Sequence, residues 1–112
     1  MSPATARLGD LETLVMLAVL HLGDGAHAVA VRARIGERTG RQLSRGTVYV
    51  TLDRLEHKGL LTSRLGEPRA ERGGKAKRLY RVEKPGLAAL TESLSGTQSM
   101  LDGLPRSVRV HR

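Results

Sequence analysis

Two short strand patterns directly behind a helical pattern constrain the fold more than any other feature of the chain. They cover residues 60–65 and 77–82 and are separated by about eleven mostly polar residues. Together they predict a long β-hairpin, and a loop of this length in a compact domain is usually functional or disordered. Gly73 and Gly74 lie in this loop, where the absence of a side chain would allow close contact with a partner.

Positive charge is concentrated on the hairpin. The 112-residue chain has a net charge of +8, and eight basic residues fall between Arg64 and Lys84 against three acidic ones. Such a cluster predicts an anionic partner: nucleic acid, a membrane surface or an acidic protein. The alternative is a basic protein without a polyanionic target, but such a protein has no need to cluster its charge in one segment.

Apolar residues recur at helical spacing in the rest of the chain. Asp10 and Ser44 are predicted N-caps, and Gly40 stands where glycine commonly ends a helix. Ser95 and Gly96 weaken the last helical pattern midway. The helices are expected at residues 11–22, 28–39, 45–58 and 85–102.

The order of these elements predicts a winged helix-turn-helix, an α+β domain that is mostly α. Helices two and three form the helix-turn-helix, and the basic hairpin is the wing. In this arrangement the third helix enters the major groove of DNA and the wing lies along the neighbouring backbone. We expect a flexible leader over residues 1–9, the DNA-binding domain over 10–84, a dimerisation helix over 85–102 and a mobile basic tail over 103–112.

Residues predicted to contact DNA lie on the exposed side of the third helix and on the wing. Arg45, Thr47 and Val50 are expected to read bases, and Gly46 would allow close approach. Tyr49 is expected to bind phosphate, although an isolated helical tyrosine is often half-buried packing. The full predicted set is Ser44, Arg45, Gly46, Thr47, Tyr49, Val50, Arg54, Arg72, Gly73, Gly74, Lys75, Lys77 and Arg78.

The first helix is apolar on more than one side, with Leu11, Leu14 and Leu22 on one face. A chain this small has little room to bury both sides, so we expect the second side to face a partner subunit. A buried strand is the alternative, but the pattern is long for one. The last helix carries an apolar stripe with no other obvious partner. The predicted dimer interface is Leu11, Met16, Leu17, Val19, Leu20, Leu87, Leu90, Leu94 and Leu101.

Signals for an enzyme, a metal site or a cofactor are weak. The chain has no cysteine, which excludes disulfides and thiolate zinc sites and fits a reducing cytoplasm. Residues 69–76 lack the first Gly and the Ser or Thr of a phosphate loop, and residues 23–28 lack the third Gly of a dinucleotide-binding turn. We expect no histidine to pair with an acid one helical turn away, so no metal ligand set is predicted. The apolar run at residues 14–20 is too short to span a membrane and follows acidic residues, unlike a signal peptide.

Two stretches resemble the PadR-like transcriptional regulators. These are SRGTVYVTLDRLEHKGLL at residues 44–61 and RGGKAKRLYRVEKPG at residues 72–86, and the resemblance extends over about residues 8–90. It implies a bacterial winged-helix repressor of the compact subgroup, with a dimer built mainly from the first and last helices. It also implies that Tyr49 is the recognition-helix tyrosine whose hydroxyl meets a DNA phosphate, and that Tyr80 is the wing tyrosine.

The chain departs from this family pattern at the start of helix two. His27, Ala28 and Ala30 stand where many members have a Tyr-Gly pair and a Glu. The chain also has no Trp and no Phe, so the flat-aromatic drug pocket of some members is not expected.

The sequence therefore predicts a DNA-binding transcriptional repressor that binds a pseudo-palindromic operator as a homodimer. An RNA-binding or ribosome-associated basic protein is the alternative, but it would usually carry aromatic stacking residues and would not need a two-sided apolar helix. A winged helix used only for protein contacts is a third hypothesis, because fold does not determine function. The sequence identifies neither the operator nor a small-molecule effector.

Overall fold

The computed structural model describes residues 7–67 and 76–108. Its elements, in chain order, are α1 (Asp10–Leu22), a 3-10 turn (Gly23–Gly25), α2 (Ala28–Thr39), α3 (Arg45–His57), β1 (Leu61–Leu65), β2 (Arg78–Val82) and α4 (Lys84–Leu101). The two strands pair antiparallel, with Leu61 opposite Val82 and Leu65 opposite Arg78. The predicted α+β winged helix-turn-helix is confirmed.

The helix ends lie at the predicted capping residues, except that the N-cap of α1 is one residue earlier than predicted. Ser44 caps α3 as predicted, and Gly40 ends α2 in the left-handed conformation at φ +75°. At α1 the N-cap is Gly9 and not Asp10, because the Glu12 carboxylate reaches back and Oε1 accepts the Gly9 N–H at 2.8 Å. The shift moves the predicted boundary by one residue and leaves the helix unchanged.

The predicted weakness in α4 does not interrupt the helix. Ser95 and Gly96 are both exposed and lie within its continuous run to Leu101. A glycine inside a helix costs only about 1 kcal/mol relative to alanine, so the surrounding turns maintain the helical backbone.

The core is aliphatic and is centred on α1. Helices α2, α3 and α4 and strand β2 all contact this helix. The fully buried side chains of greatest volume are Met16, Leu52, Leu55, Val15, Val31 and Val48. Tyr80 on β2 closes the core beneath the wing.

Three residues predicted for the dimer interface lie in this core, so that part of the prediction is wrong. Met16 is 0% exposed, and Val19 and Leu90 are each 2% exposed. The hairpin and α4 cover the second apolar side of α1 within the protomer, and Leu90 packs inward from α4. Those side chains are therefore unavailable to a second copy.

Gly86 permits a close approach between α4 and the rest of the protomer. A Cβ at this position would lie 2.1 Å from the Leu60 carbonyl oxygen and 3.0 Å from Met16 Cε. The same carbonyl accepts the Glu83 N–H at 3.0 Å, which holds the backbone in place. The first turn of α4 therefore rests directly on the backbone between α3 and β1.

Substitution Gly86→Ala is expected to destabilise the protein by about 1–3 kcal/mol, because the obstructing atom belongs to the backbone and cannot rotate away. Gly96→Ala is the matched control, since a Cβ there meets nothing within 4 Å. We expect it to stabilise α4 by about 0.5–1 kcal/mol. Urea denaturation measures both, and equal stability of the two variants would contradict the close approach.

Candidate nucleic-acid interface

Helix α3 presents one long face to solvent. Val48, Thr51, Leu52 and Leu55 are buried and orient the helix. The opposite face is therefore exposed, with Tyr49 52% and Val50 57% accessible. The predicted residues that the structure brings together on this exposed surface are Ser44, Arg45, Gly46, Thr47, Tyr49, Val50 and Arg54.

The N-terminus of α3 is held by two hydroxyl groups. Ser44 Oγ accepts the Thr47 N–H at 3.1 Å and donates its own hydrogen to Thr47 Oγ1 at 2.8 Å. The Ser44 hydroxyl is therefore occupied within the helix cap. The Thr47 hydroxyl only accepts in this contact, so its hydrogen is available to a partner. Gly46, between them, has open space where a Cβ would be.

Polar contacts anchor the turn between α2 and α3. Arg32 Nε donates to the Leu43 carbonyl at 2.5 Å. Arg41 Nη1 lies 2.7 Å from Asp10 Oδ2, in an exposed ion pair that contributes modestly. The turn is therefore attached both to α2 and to the start of α1. No short-range pattern indicates either contact, because both join residues far apart in sequence.

A less exposed ion pair fixes the other end of α3. Lys58 Nζ lies 2.8 Å from Glu12 Oε2, and Glu12 is only 8% exposed. Burial works to raise the pKa of Glu12, but the Gly9 N–H, Lys58 and Arg54 together hold the pKa below its ordinary value. The sequence does not indicate the pairing of Lys58 with Glu12. The three-residue spacing of Gly9 and Glu12, typical of a capping box, indicates only the contact at the start of α1.

The wing is tied to α3 by a short hydrogen-bond chain. Arg78 Nη1 donates to Ser63 Oγ at 3.0 Å, and Ser63 Oγ donates to Glu56 Oε2 at 2.8 Å. Arg78 thus has an exposed guanidinium and a role in orienting the hairpin. On the other side, Lys77 Nζ lies 3.4 Å from His27 Nε2 at the start of α2. The other predicted wing contacts, Arg72, Gly73, Gly74 and Lys75, lie outside the described residues.

The prediction that no histidine pairs with an acid one helical turn away is wrong. His57 Nδ1 lies 3.8 Å from Asp53 Oδ2 one helical turn away on the exposed side of α3.

Within residues 7–67 and 76–108, no group of three or more His, Asp or Glu side chains could hold a metal ion. In the same ranges, no helix is both long enough and apolar enough to cross a membrane.

Comparisons with known proteins agree with this architecture. Residues 16–92 match the Transcriptional regulator PadR-like family. Over 55 residues the chain is 51% identical to Transcriptional regulator Rv3488 of Mycobacterium tuberculosis; the alignment covers 49% of this chain and 48% of that protein. The chain thus spans about half the length of that curated relative.

Solved structures are similar over most of the chain. A PadR family transcriptional regulator from Eggerthella lenta has a TM-score of 0.66 at 30% identity, over 84% of this chain and 81% of that one. A PadR family regulator from Clostridium difficile has a TM-score of 0.67 at 21% identity, over 83% and 92% of the two chains, and supports the fold alone. These relatives are regulators and not enzymes. With a family match over most of its length and a winged-helix fold, the chain belongs to the PadR-like family of transcriptional regulators.

Proposed function

We propose that this chain is a cytoplasmic, DNA-binding repressor that binds a pseudo-palindromic operator as a homodimer. The observation that carries the proposal is the exposed face of α3, whose N-terminal side chains are uncovered. On this face Tyr49 lines a groove together with Lys77 and Arg78 of the wing. A helix of this kind fits the major groove, where donor and acceptor patterns identify each base pair. Arg45, at the first position of α3, can donate two hydrogen bonds to a guanine.

The wing supports binding that does not depend on sequence. Arg78 is exposed, and Lys77 stands at the base of the basic loop. Phosphates carry no base information, so cations here would set affinity and orientation but not preference. Base readout and backbone attachment are therefore assigned to different elements of the fold.

The shape of the protomer supports dimerisation. Its radius of gyration is 16.2 Å, against about 13 Å for a compact domain of this length. Beyond Leu90, most residues of helix α4 are exposed. Leu87 and Leu94, seven residues apart, are 51% and 41% exposed, and Leu20 on α1 is 46% exposed. These residues, together with half-buried Leu11, Leu17 and Leu101, are the part of the predicted interface that a second copy could cover.

Arg45→Ala tests the assignment of the reading face. Duplexes selected from random DNA supply the cognate site, and folded RNA is the competitor. We expect wild type to prefer the duplex and the variant to lose about 10- to 150-fold in cognate affinity, from about 1–3 kcal/mol, with relaxed preference at one base position. Arg106→Ala, beyond α4, is the control for loss of one charge.

Lys77→Ala combined with Arg78→Ala should behave differently and weaken all duplexes nearly equally. If folded RNA displaces the duplex at equal concentration, the protein is an RNA binder. If Arg45→Ala changes neither affinity nor preference, α3 does not read bases through this residue.

A further inference from the structure

The base of the wing is linked to α2 by a side-chain contact that requires a neutral histidine. Lys77 Nζ lies 3.4 Å from His27 Nε2, and His27 Nδ1 lies 3.0 Å from the Gly25 carbonyl oxygen. A carbonyl only accepts and an ammonium only donates, so Nδ1 carries the hydrogen and Nε2 accepts with its lone pair. A protonated ring has hydrogens on both nitrogens and is no longer an acceptor for Lys77. We call this contact the His27–Lys77 link.

The His27–Lys77 link attaches the outer end of the hairpin to α2. The Tyr80 N–H donates to the Ala26 carbonyl at 2.8 Å, which joins the middle of β2 to the loop before α2. Lys77 lies three residues further out, where its carbonyl accepts the Gly66 N–H at 2.7 Å. The Lys77 side chain therefore continues the attachment past the last of these backbone bonds, at the start of the basic loop.

The described surroundings of the His27 ring carry positive charge. The ring lies in a groove of about 500 Å³, none of whose described lining residues is acidic. His27 is also the N-cap of α2, at the positive end of the helix dipole, and the first turn of α2 has no acidic residue. Asp24, three residues earlier, lines a separate cleft. The titratable or charged residues that line the groove with His27 are Tyr49, Lys77, Arg78 and Tyr80.

We infer that the His27–Lys77 link is a pH-sensitive latch, which opens when His27 is protonated and makes DNA binding tighter in mild acid. Histidine changes its charge between about pH 5 and 8. At the upper end of this range the neutral ring accepts a hydrogen from Lys77. At the lower end two cations would lie within hydrogen-bond distance of each other, with no acidic side chain in the described lining to separate them, so the contact breaks.

The effect on DNA rests on the proposed function, whereas the latch itself does not. Each protonated ring adds a positive charge beside the helix and the wing assigned to DNA. The wing keeps its other attachment, because Arg78 is joined to α3 through Ser63 and Glu56 and this chain contains no histidine. Opening of the latch therefore leaves the hairpin on α3, and the added charge raises affinity.

The latch is expected to be a property of this chain and not of the family in general. His27 stands where many members have a tyrosine. A tyrosine hydroxyl ionises near pH 10 in model peptides, so a tyrosine there would stay neutral over the range in which histidine titrates.

Solution NMR of the free protein tests the latch without DNA. A nuclear Overhauser contact between the Lys77 ε-methylene and the His27 ring is expected at about pH 8 and should disappear at about pH 5. His27→Gln is the matched variant, because its side-chain oxygen can accept from Lys77 at either pH and its contact with Lys77 should persist. A wild-type contact that is absent at about pH 8, or that persists once the ring is protonated, overturns the latch.

DNA titration tests the consequence. Between about pH 8 and pH 5 the duplex affinity of wild type should rise about 10-fold more per dimer than that of His27→Gln, the scale of two added exposed charge pairs. The slope of log affinity against log salt should steepen by about 1.8, from about 0.9 for each ring that meets a phosphate. His21→Gln is the control, since that exposed ring lies on α1 and its loss should leave the wild-type response unchanged.

His27→Arg fixes a positive charge at the same position. Relative to His27→Gln at the same pH, it should bind duplex DNA about 10-fold more tightly at about pH 8 as well as at about pH 5. If it binds no more tightly than His27→Gln, a charge at this position does not act on DNA and the inference is wrong.

The remaining outcomes separate the latch from the proposed function. Wild type that binds no duplex DNA at either pH overturns the proposed function and the effect on DNA, whereas the NMR measurement still decides the latch. Wild type that binds, with the same pH response as His27→Gln, overturns the regulation of DNA binding by His27.

Discussion

Raising the salt concentration from about 50 to 200 mM should lower the affinity of the proposed dimer for duplex DNA by about 10³- to 10⁵-fold. Binding through lysines and arginines releases the counterions condensed on the phosphates, and salt opposes that release. With about eight phosphates neutralised by two protomers, the slope of log affinity against log salt should be near −7, from about −0.9 per contact. The net charge of +8 and its concentration on the wing motivate the estimate.

Fluorescence anisotropy at five or more salt concentrations measures the slope. The Lys77→Ala and Arg78→Ala double variant should have a shallower slope, by about 0.9 for each phosphate contact removed. Arg106→Ala, on the tail, should retain the wild-type slope. A wild-type slope shallower than about −2 would show that phosphate contacts do not dominate binding.

Leu94→Asp should convert the proposed dimer to a monomer. Leu94 is 41% exposed on the outward stripe of α4, so a carboxylate there stays hydrated in a single protomer. In a dimer that covers the stripe, the same charge would be buried without a partner, at a cost of several kcal/mol. The winged domain should remain folded, because no core residue changes.

DNA affinity should fall with the loss of the dimer. Each monomer would hold one half-site, and the second contact would no longer be intramolecular, so cognate affinity should drop by about 10²- to 10⁴-fold. Sedimentation velocity and DNA titration measure the two effects together. Ser99→Asp is the matched control, since it adds the same charge to an exposed position of α4 away from the stripe.

Two results would contradict this arrangement of the interface. If wild type sediments as a monomer at micromolar concentration, the chain does not form the proposed dimer. Leu94→Asp that remains dimeric and binds fully shows that the subunits associate through another surface.

The sequence by itself determined the elements and the outward face of α3. Helix periodicity, the Ser44 cap, the glycine that ends α2 and the alternation in the hairpin depend on neighbours a few residues away. These signals can therefore be recognised in the sequence before the tertiary structure is known. The same is true of Arg45, Tyr49 and Val50, because the buried side of α3 is evident from the spacing of Val48, Leu52 and Leu55.

Only the tertiary structure decided what each surface faces. The apolar second side of α1 predicts burial but not the covering element, and the hairpin and α4 cover Met16 and Val19 within one protomer. The Gly86 contact with Leu60 and the Lys58 pair with Glu12 likewise join elements distant in sequence. Their energies depend on distance and burial after the chain has packed, whereas local propensity is independent of both.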